Sequence, residues 1–256
     1  MSSTPTLGVR YVAFKEVGAV NYSLQSFRSV YPNAPVYFVS DGGSDFSYLE
    51  SDPNIKVTMG IDTMGYAAAG PPLDRMIADK TFDVELALKI GEPVHFMNRM
   101  KDAIEFCKTD YMLLMEPDVI VRSKIKINPS HHLVGQKPND IETEVLRYIK
   151  SRGGNESVRH FGPVGGLVNS ASFLKVYELV QNDPQMLRDL LKISPRVKCW
   201  DYLIAVLFAI AGFSYEESDQ IVECIRNPFW KVTSHPVVHQ FRDFYNSDYG
   251  GKWENI

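Results

Sequence analysis

Val9-Arg10-Tyr11-Val12-Ala13-Phe14, a helical segment from Asn21 to Val30, and Pro35-Val36-Tyr37-Phe38-Val39-Ser40 together decide the fold. The first run begins just after Gly8 and is apolar, rich in β-formers and of strand length, which predicts a buried strand. Asn21 is placed to cap a helix whose apolar positions Leu24, Phe27 and Val30 recur at three-residue spacing. Pro32 ends it, because the residue before proline avoids the helical region. The last run is a second strand, stopped by Asp41-Gly42-Gly43. Strand, helix and strand in that order make a right-handed βαβ unit, hence a parallel pair.

Outward from this unit, Ile55 to Met59 reads as a short third strand. Gly60 to Pro72 holds three Ala, three Gly and two Pro, the composition of a loop that wraps a ligand or acts as a lid. From His95 onward Met97, Met100, Ile104 and Cys107 mark one face of a helix, a stripe that reads as core packing. Tyr111-Met112-Leu113-Leu114-Met115 is continuously apolar, as in a strand covered on both faces, and runs straight into Glu116-Pro117-Asp118. After Asn128 the pattern changes. A helix is expected from Ile141 to Lys150, a glycine-rich turn at Gly162 to Gly166, and a helix that opens at Asp183-Pro184 and stops before Pro195. Cys199-Trp200-Asp201 then leads into the apolar stretch Tyr202 to Ala211. The reading is an α/β protein with a Rossmann-like, mostly parallel central sheet flanked by helices and a mixed C-terminal half. Residues 1–256 are taken as a single domain, with halves 1–127 and 128–256.

Composition narrows the function classes. With 256 residues, 45% hydrophobic and 23% charged, the chain can bury a full core. It carries 27 basic against 31 acidic residues, a formal charge of −4, which argues against a nucleic-acid partner held by bulk positive charge. Cys107, Cys199 and Cys224 are odd in number and far apart, so neither a disulfide framework nor a zinc ribbon follows. Residues 1–8 show no signal peptide. Tyr202 to Ala211 is half of the ~20 residues that a membrane span needs, so no transmembrane segment is expected. A reducing, cytoplasmic location is the corresponding expectation.

In open α/β sheets, ligands bind beyond the carboxyl ends of the strands. Asp41 stands at such an end, followed by glycines that let backbone approach a ligand; a capped turn is the alternative. Glu116 and Asp118, two apart in an extended chain, would point to one side and converge on a hard cation, Mn²⁺ or Mg²⁺, unless they form a solvated strand end. His235 and His239 flank a β-branched pair and lack the glutamate of a zinc-protease helix. Gly162 to Gly166 lacks both common phosphate-loop fingerprints. Asp201 is either an N-cap or a carboxylate aimed into a cleft, roles that can coexist.

Ser23-Leu24-Gln25-Ser26-Phe27-Arg28 with Tyr31-Pro32-Asn33, Val39-Ser40-Asp41-Gly42-Gly43-Ser44-Asp45, and Asn98-Arg99 leading to Glu116-Pro117-Asp118 resemble the GT-A fold glycosyltransferases, family-2-like, that use nucleotide-diphosphate sugars. The resemblance extends to Gly165-Gly166, Trp200-Asp201 and His239. It implies a GT-A type fold whose first half binds the nucleotide sugar and whose second half binds the acceptor. By that resemblance Phe14 borders the base and Asp41 binds the nucleoside, while Arg99 helps to hold the nucleotide. Glu116 and Asp118 stand for the Asp-x-Asp motif of ribose and metal, with Glu in place of the first Asp. His239 offers the metal a further ligand. Asp201, preceded here by Trp200 where the family often has Glu, is the catalytic base. Gly165, Gly166 and Trp200 form the acceptor platform, Trp200 being equally well placed as core.

The expected reaction transfers a sugar from a nucleotide-diphosphate sugar, UDP being the family default, to the hydroxyl of a glycan or other acceptor. Asp201 takes the hydroxyl proton as the oxygen attacks the anomeric carbon, with inversion. Two alternatives remain at the level of sequence. A sugar nucleotidyltransferase would want a glycine-rich basic loop after the first strand, and 14–21 offers only Lys15 and one Gly. A catalytically silent nucleotide-sugar binding module would keep Asp41 and tolerate loss of Asp201.

Overall fold

The computed structural model describes residues 4–15, 17–41, 43–59, 66–136, 139–223 and 234–239. Its first half is β1 (Leu7–Ala13), α1 (Val17–Val30), β2 (Val36–Ser40), a 3-10 turn (Ser47–Ser51), β3 (Ile55–Met59), three helices α2 (Tyr66–Ala78), α3 (Val84–Ile90) and α4 (Glu92–Cys107), then β4 (Tyr111–Met115). The βαβ reading of the sequence is found, with β1 and β2 parallel in the register Val9↔Val36 to Ala13↔Ser40. The helix between them starts earlier than expected. Asn21 lies inside α1, where its side-chain oxygen accepts a 2.6 Å hydrogen bond from the Tyr48 hydroxyl.

The second half holds β5 (Val119–Val121), β6 (Leu133–Gly135), β7 (Asn139–Asp140), α5 (Thr143–Ser151), β8 (His160–Phe161), β9 (Leu167–Asn169), α6 (Ser170–Asn182), α7 (Gln185–Ile193), a 3-10 turn (Pro195–Lys198), α8 (Trp200–Ile210), β10 (Tyr215–Glu217), β11 (Ile221–Glu223) and β12 (Val237–His239). Seven strands form the central sheet in the order β10-β6-β9-β4-β1-β2-β3. All neighbours in it run parallel except at β9, which is antiparallel to both β4 and β6. A small sheet, β11-β12-β5, and the β7-β8 ribbon complete the set. The architecture is thus mixed α/β with a large, mostly parallel sheet flanked by helices.

Alternation along the central strands divides the core. Val9, Tyr11, Ala13, Leu113 and Met115 pack toward α1 and the small sheet. Met112 and Leu114 face the opposite layer, with Phe96, Met97 and Met100 of α4 and nearly all of α8. Period-two alternation puts each set on one face. The Met stripe of α4 is core, as its spacing implied. α8 is apolar all round because it is buried all round. Among the described residues, no helix is long and apolar enough to cross a membrane.

Two features of this topology position a site. The chain leaves β1 toward β2 and β3 on one side, then crosses back through α2, α3 and α4 to place β4 on the other. A crevice therefore opens beyond the carboxyl ends of β1 and β4, where the strand order reverses. In addition, α4 ends at Cys107, whose thiol meets the Val9 and Pro35 carbonyls at 3.8 and 3.7 Å, near the opposite ends of the strands. Its N-terminus accordingly points to the crevice rim. Residues 60–65 of the expected lid loop, and Cys224, lie outside the described residues. The other part of that loop is helical, within α2, where Ala67 to Ala69 supply the strongest helix formers.

Candidate functional site

On the β2 side of the crevice, Asp41 follows the strand directly and its amide donates to the Ala13 carbonyl at 2.8 Å. Its carboxylate meets Arg99 of α4, Nη1 to Oδ1 3.3 Å, with both side chains only 6% exposed. An ion pair this removed from water holds its partners in place, since removing either would strand a buried charge. The loop after Asp41 folds back on the end of β1, with the Ser44 amide donating to the Phe14 carbonyl at 2.7 Å. Gly43 allows this approach. A Cβ there would sit 1.9 Å from the Phe14 carbonyl oxygen.

On the β4 side, Glu116 to Val119 form a turn, the Val119 amide donating to the Glu116 carbonyl at 3.0 Å with Pro117 at the second position. Here the structure departs from the extended geometry expected of Glu116-Pro117-Asp118: the two carboxylates are placed by a turn. Asp118 is buried and Glu116 half-buried. Helix α1 anchors this turn. The Ser23 hydroxyl donates to the Val119 carbonyl, and the Ser26 hydroxyl accepts from the Val121 amide at 3.0 Å. Beside Ser23 lies the Tyr11 hydroxyl, raised well above the usual phenol range, first by burial and further by the charges of Asp118 and Glu116.

His239, at the end of β12, joins the two halves. Its Nε2 is 3.9 Å from Asp118 Oδ1, and its Nδ1 is 3.4 Å from Gln136 Nε2. Parallel pairing with β11 sets Glu223 opposite His239, also buried. Gly165, at φ +74°, lets the turn before β9 press against β12; a Cβ there would lie 3.2 Å from Val237 and 3.7 Å from His239 Cβ. Gly166 is packed as tightly, its virtual Cβ 2.0 Å from the Val134 carbonyl oxygen. Both glycines are buried, so their observed contribution is close approach, Gly165 toward β12 and Gly166 toward the Val134 and Pro163 carbonyls.

Asp201 sits in the first turn of α8 and accepts a 2.8 Å hydrogen bond from the Tyr202 amide. Desolvation raises its pKa; the backbone amides and the charges of Arg196 and His239 pull the other way. The Tyr215 hydroxyl, which donates to the Gln136 carbonyl, is pushed up by burial and also by the charges of Glu217 and Asp201. Asp118, His239, Gln136, Tyr215 and Asp201 are therefore one neighbourhood. Asp41 and Arg99 lie across β1 from Asp118, two strand spacings or about 10 Å along the same rim.

Trp200 does not join them. Its ring is 8% exposed and stacks on Phe96, centroids 5.1 Å apart, with the Arg10 guanidinium 5.4 Å from its centroid. A ring so placed packs against the core, one of the two readings that the sequence left open. Several participants were not anticipated: Ser23 and Ser26 as anchors, Gln136 and Tyr215 beside His239 and Asp201, and Arg196, whose guanidinium lies over Phe161 and Tyr202 at 5.3 and 4.9 Å. Lys198, 3% exposed, pairs with Asp74 at 2.8 Å and ties α2 to the turn that precedes Asp201. Only the serines had a usable signal, since two hydroxyls three apart on a helix face otherwise apolar ask for partners.

Among the described residues, no group of three or more His, Cys, Asp or Glu is arranged to hold a metal ion. Asp118 and His239 form a two-residue set, one oxygen and one nitrogen donor, to which ligand oxygens and water would have to add. No protein-family model matches this chain. No curated protein matches it. Among solved structures, it is similar to a crystal structure of an active-site mutant of LgtC, a glycosyltransferase, at 13% identity and a TM-score of 0.46, covering 91% of this chain and 86% of that one. At that score the similarity lends no weight to a function, which has to be argued from the side chains.

Proposed function

We propose that the chain is a glycosyltransferase of GT-A type that moves a sugar from a nucleotide-diphosphate sugar to an acceptor hydroxyl. The observation that carries this reading is the gathering of Asp118, His239 and Asp201 at the switch-point rim, with the Asp41–Arg99 pair on the other side of β1. Asp41, held by Arg99, accepts hydrogen bonds from the ribose hydroxyls, and Phe14 borders the base. Glu116 faces the ribose from the opposite side. Asp118 and His239 hold a divalent cation through one carboxylate and one imidazole, a mixed donor set that suits Mn²⁺ better than Mg²⁺. When bound, the ion supplies Lewis-acid stabilisation of the diphosphate leaving group.

Asp201 acts as general base. Its desolvation raises its proton affinity toward the range in which a carboxylate abstracts a hydroxyl proton efficiently, while the backbone amides and the Arg196 charge pull the other way. The proton passes from the acceptor hydroxyl to Asp201 as the oxygen attacks the anomeric carbon, and the nucleotide departs from the opposite face with inversion. Burial around Gly165, Gly166 and Tyr215 limits competing attack by water.

The test is an assay of the full chain against a panel of nucleotide-diphosphate sugars with Mn²⁺ and oligosaccharide acceptors, reading nucleoside diphosphate release and product mass. One donor should be consumed, and Asp201→Asn should cut turnover by about 10²–10⁴-fold while leaving nucleotide affinity intact. Turnover of Asp201→Asn at the wild-type rate, or no donor consumed, would contradict the reading. A proton NMR spectrum of fresh product should report the inverted anomer.

A further inference from the structure

Gln136 follows β6 directly and is held through its backbone on two sides. Its amide donates to the Gly162 carbonyl at 2.9 Å, and its carbonyl accepts from the Tyr215 hydroxyl. The residue before it is as tightly placed. The Gly135 carbonyl accepts from the Ser218 amide at 2.9 Å, and a Cβ on Gly135 would lie 2.5 Å from the Gly162 carbonyl oxygen. None of these bonds uses the Gln136 side chain. Its half-buried carboxamide turns instead to His239, with Nε2 3.4 Å from the imidazole Nδ1.

The imidazole stands between two partners. Nδ1 faces Gln136, while Nε2 faces Asp118 Oδ1 at 3.9 Å. The strand that carries the ring is fixed by pairing on both sides, with β11 and with β5. A neutral imidazole has one N–H and one lone pair, so the role of one nitrogen decides that of the other. With the hydrogen on Nε2, turned to the Asp118 carboxylate, Nδ1 is an acceptor and needs a donor. With a cation on Nε2, Nδ1 carries the hydrogen and needs an acceptor. A carboxylate or an ammonium group would serve one of these states only. A carboxamide serves both, because half a turn about its last bond exchanges its NH₂ for its carbonyl oxygen.

We propose that Gln136 is the positioning residue of His239, donating to Nδ1 while Nε2 bears the hydrogen and turning its carbonyl oxygen to Nδ1 when Nε2 holds the divalent cation. The hydrogen leaves Nε2 for water and another is taken up from water at Nδ1, so the exchange releases no net proton. Metal-ligating histidines depend on such a partner for ring orientation and basicity, and its loss costs about 10–100-fold in metal affinity. This inference rests on the cation reading of Asp118 and His239 and adds the residue that prepares the imidazole for it.

The experiment has two arms. In the first, nitrogen-15 NMR of the full chain in mildly alkaline buffer reads the His239 tautomer, its signals identified by their loss in His239→Ala. The metal-free wild type should carry the hydrogen on Nε2, and saturating Zn²⁺, a diamagnetic probe, should move it to Nδ1. A residue that only braced the fold would leave the tautomer where it was. In the second arm, electron paramagnetic resonance follows the binding of Mn²⁺ alone. Gln136→Leu should lose about tenfold or more in affinity, and Gln136→Glu, which keeps an acceptor for the Nδ1 hydrogen, should regain most of it. Should Gln136→Leu fail to fold, the wild-type tautomers and Gln136→Glu still decide. A tautomer unmoved by metal, a Gln136→Leu affinity equal to that of the wild type, or a Gln136→Glu affinity at least tenfold below it overturns the role of Gln136 and leaves a cation at Asp118 standing. Absence of Mn²⁺ binding by the wild type overturns the cation reading, and this inference with it.

Discussion

Desolvating a carboxylate costs stability, and Asp201 carries that cost at the start of α8. Its folded pKa lies above its unfolded one, so between the two values the native state binds more protons than the unfolded state. Stability then falls as pH rises through that window. Asp201→Asn keeps the side-chain oxygen that accepts from the Tyr202 amide and removes the charge. Chemical denaturation should find this variant more stable than the wild type at pH 7, by about 1 kcal/mol or more. The advantage should shrink as pH drops toward the unfolded carboxylate value. A residue whose loss stabilises the fold and abolishes turnover is one retained for chemistry. Read from the sequence, Asp201 was an N-cap, a cleft carboxylate or both. What decided its surroundings, Arg196, His239 and Tyr215, comes from other elements brought together only by the fold.

At the scale of elements, the loop from Asp41 to Ser44 and the turn from Glu116 to Val119 are fixed by different devices, and each can be broken separately. Gly43→Ala drives a methyl into the Phe14 carbonyl, a backbone group that cannot swing aside. Nucleotide affinity should fall by about tenfold or more while the far-UV circular dichroism spectrum is retained, measurable by titration with a nucleoside diphosphate. Ser23→Ala removes the hydroxyl that donates to the Val119 carbonyl. It should cost about 1 kcal/mol in urea unfolding and weaken Mn²⁺ binding, since the turn bearing Asp118 loses its tether. Strands β1, β2 and β4 were legible because buried strands are written as almost unbroken apolar runs. The start of α1 was not, because Asn21 looks like a cap in sequence, whereas in the fold it meets Tyr48 from the far side of β2. Likewise Gly and Pro in 60–72 suggested a loop throughout, and alanine propensity prevailed in the part now within α2. Trp200 read equally as platform or core, and in the fold its ring stacks on Phe96.

For the whole molecule, the order β3-β2-β1-β4 makes one crevice out of residues 14, 41, 99, 116 and 118, which are far apart in sequence. The acidic ones were visible as strand-end residues, whereas the contribution of His239 required the small sheet to bring β12 alongside β5. A ligand bound there binds only the native state, so it must stabilise the whole fold by mass action. At a hundred times its dissociation constant, the cognate nucleoside diphosphate with Mn²⁺ should raise Tm by about 5–10 °C. If Asp118 and His239 share a cation with a diphosphate, as proposed, metal and nucleotide must raise each other's affinity by the same factor. Mn²⁺ binding can be followed by electron paramagnetic resonance with and without nucleoside diphosphate. Binding should be markedly tighter with nucleotide present, a gain lost in Asp118→Ala and reduced in His239→Ala. Mn²⁺ affinity that is the same with and without nucleotide, or unaffected by Asp118→Ala, would rule out the shared cation.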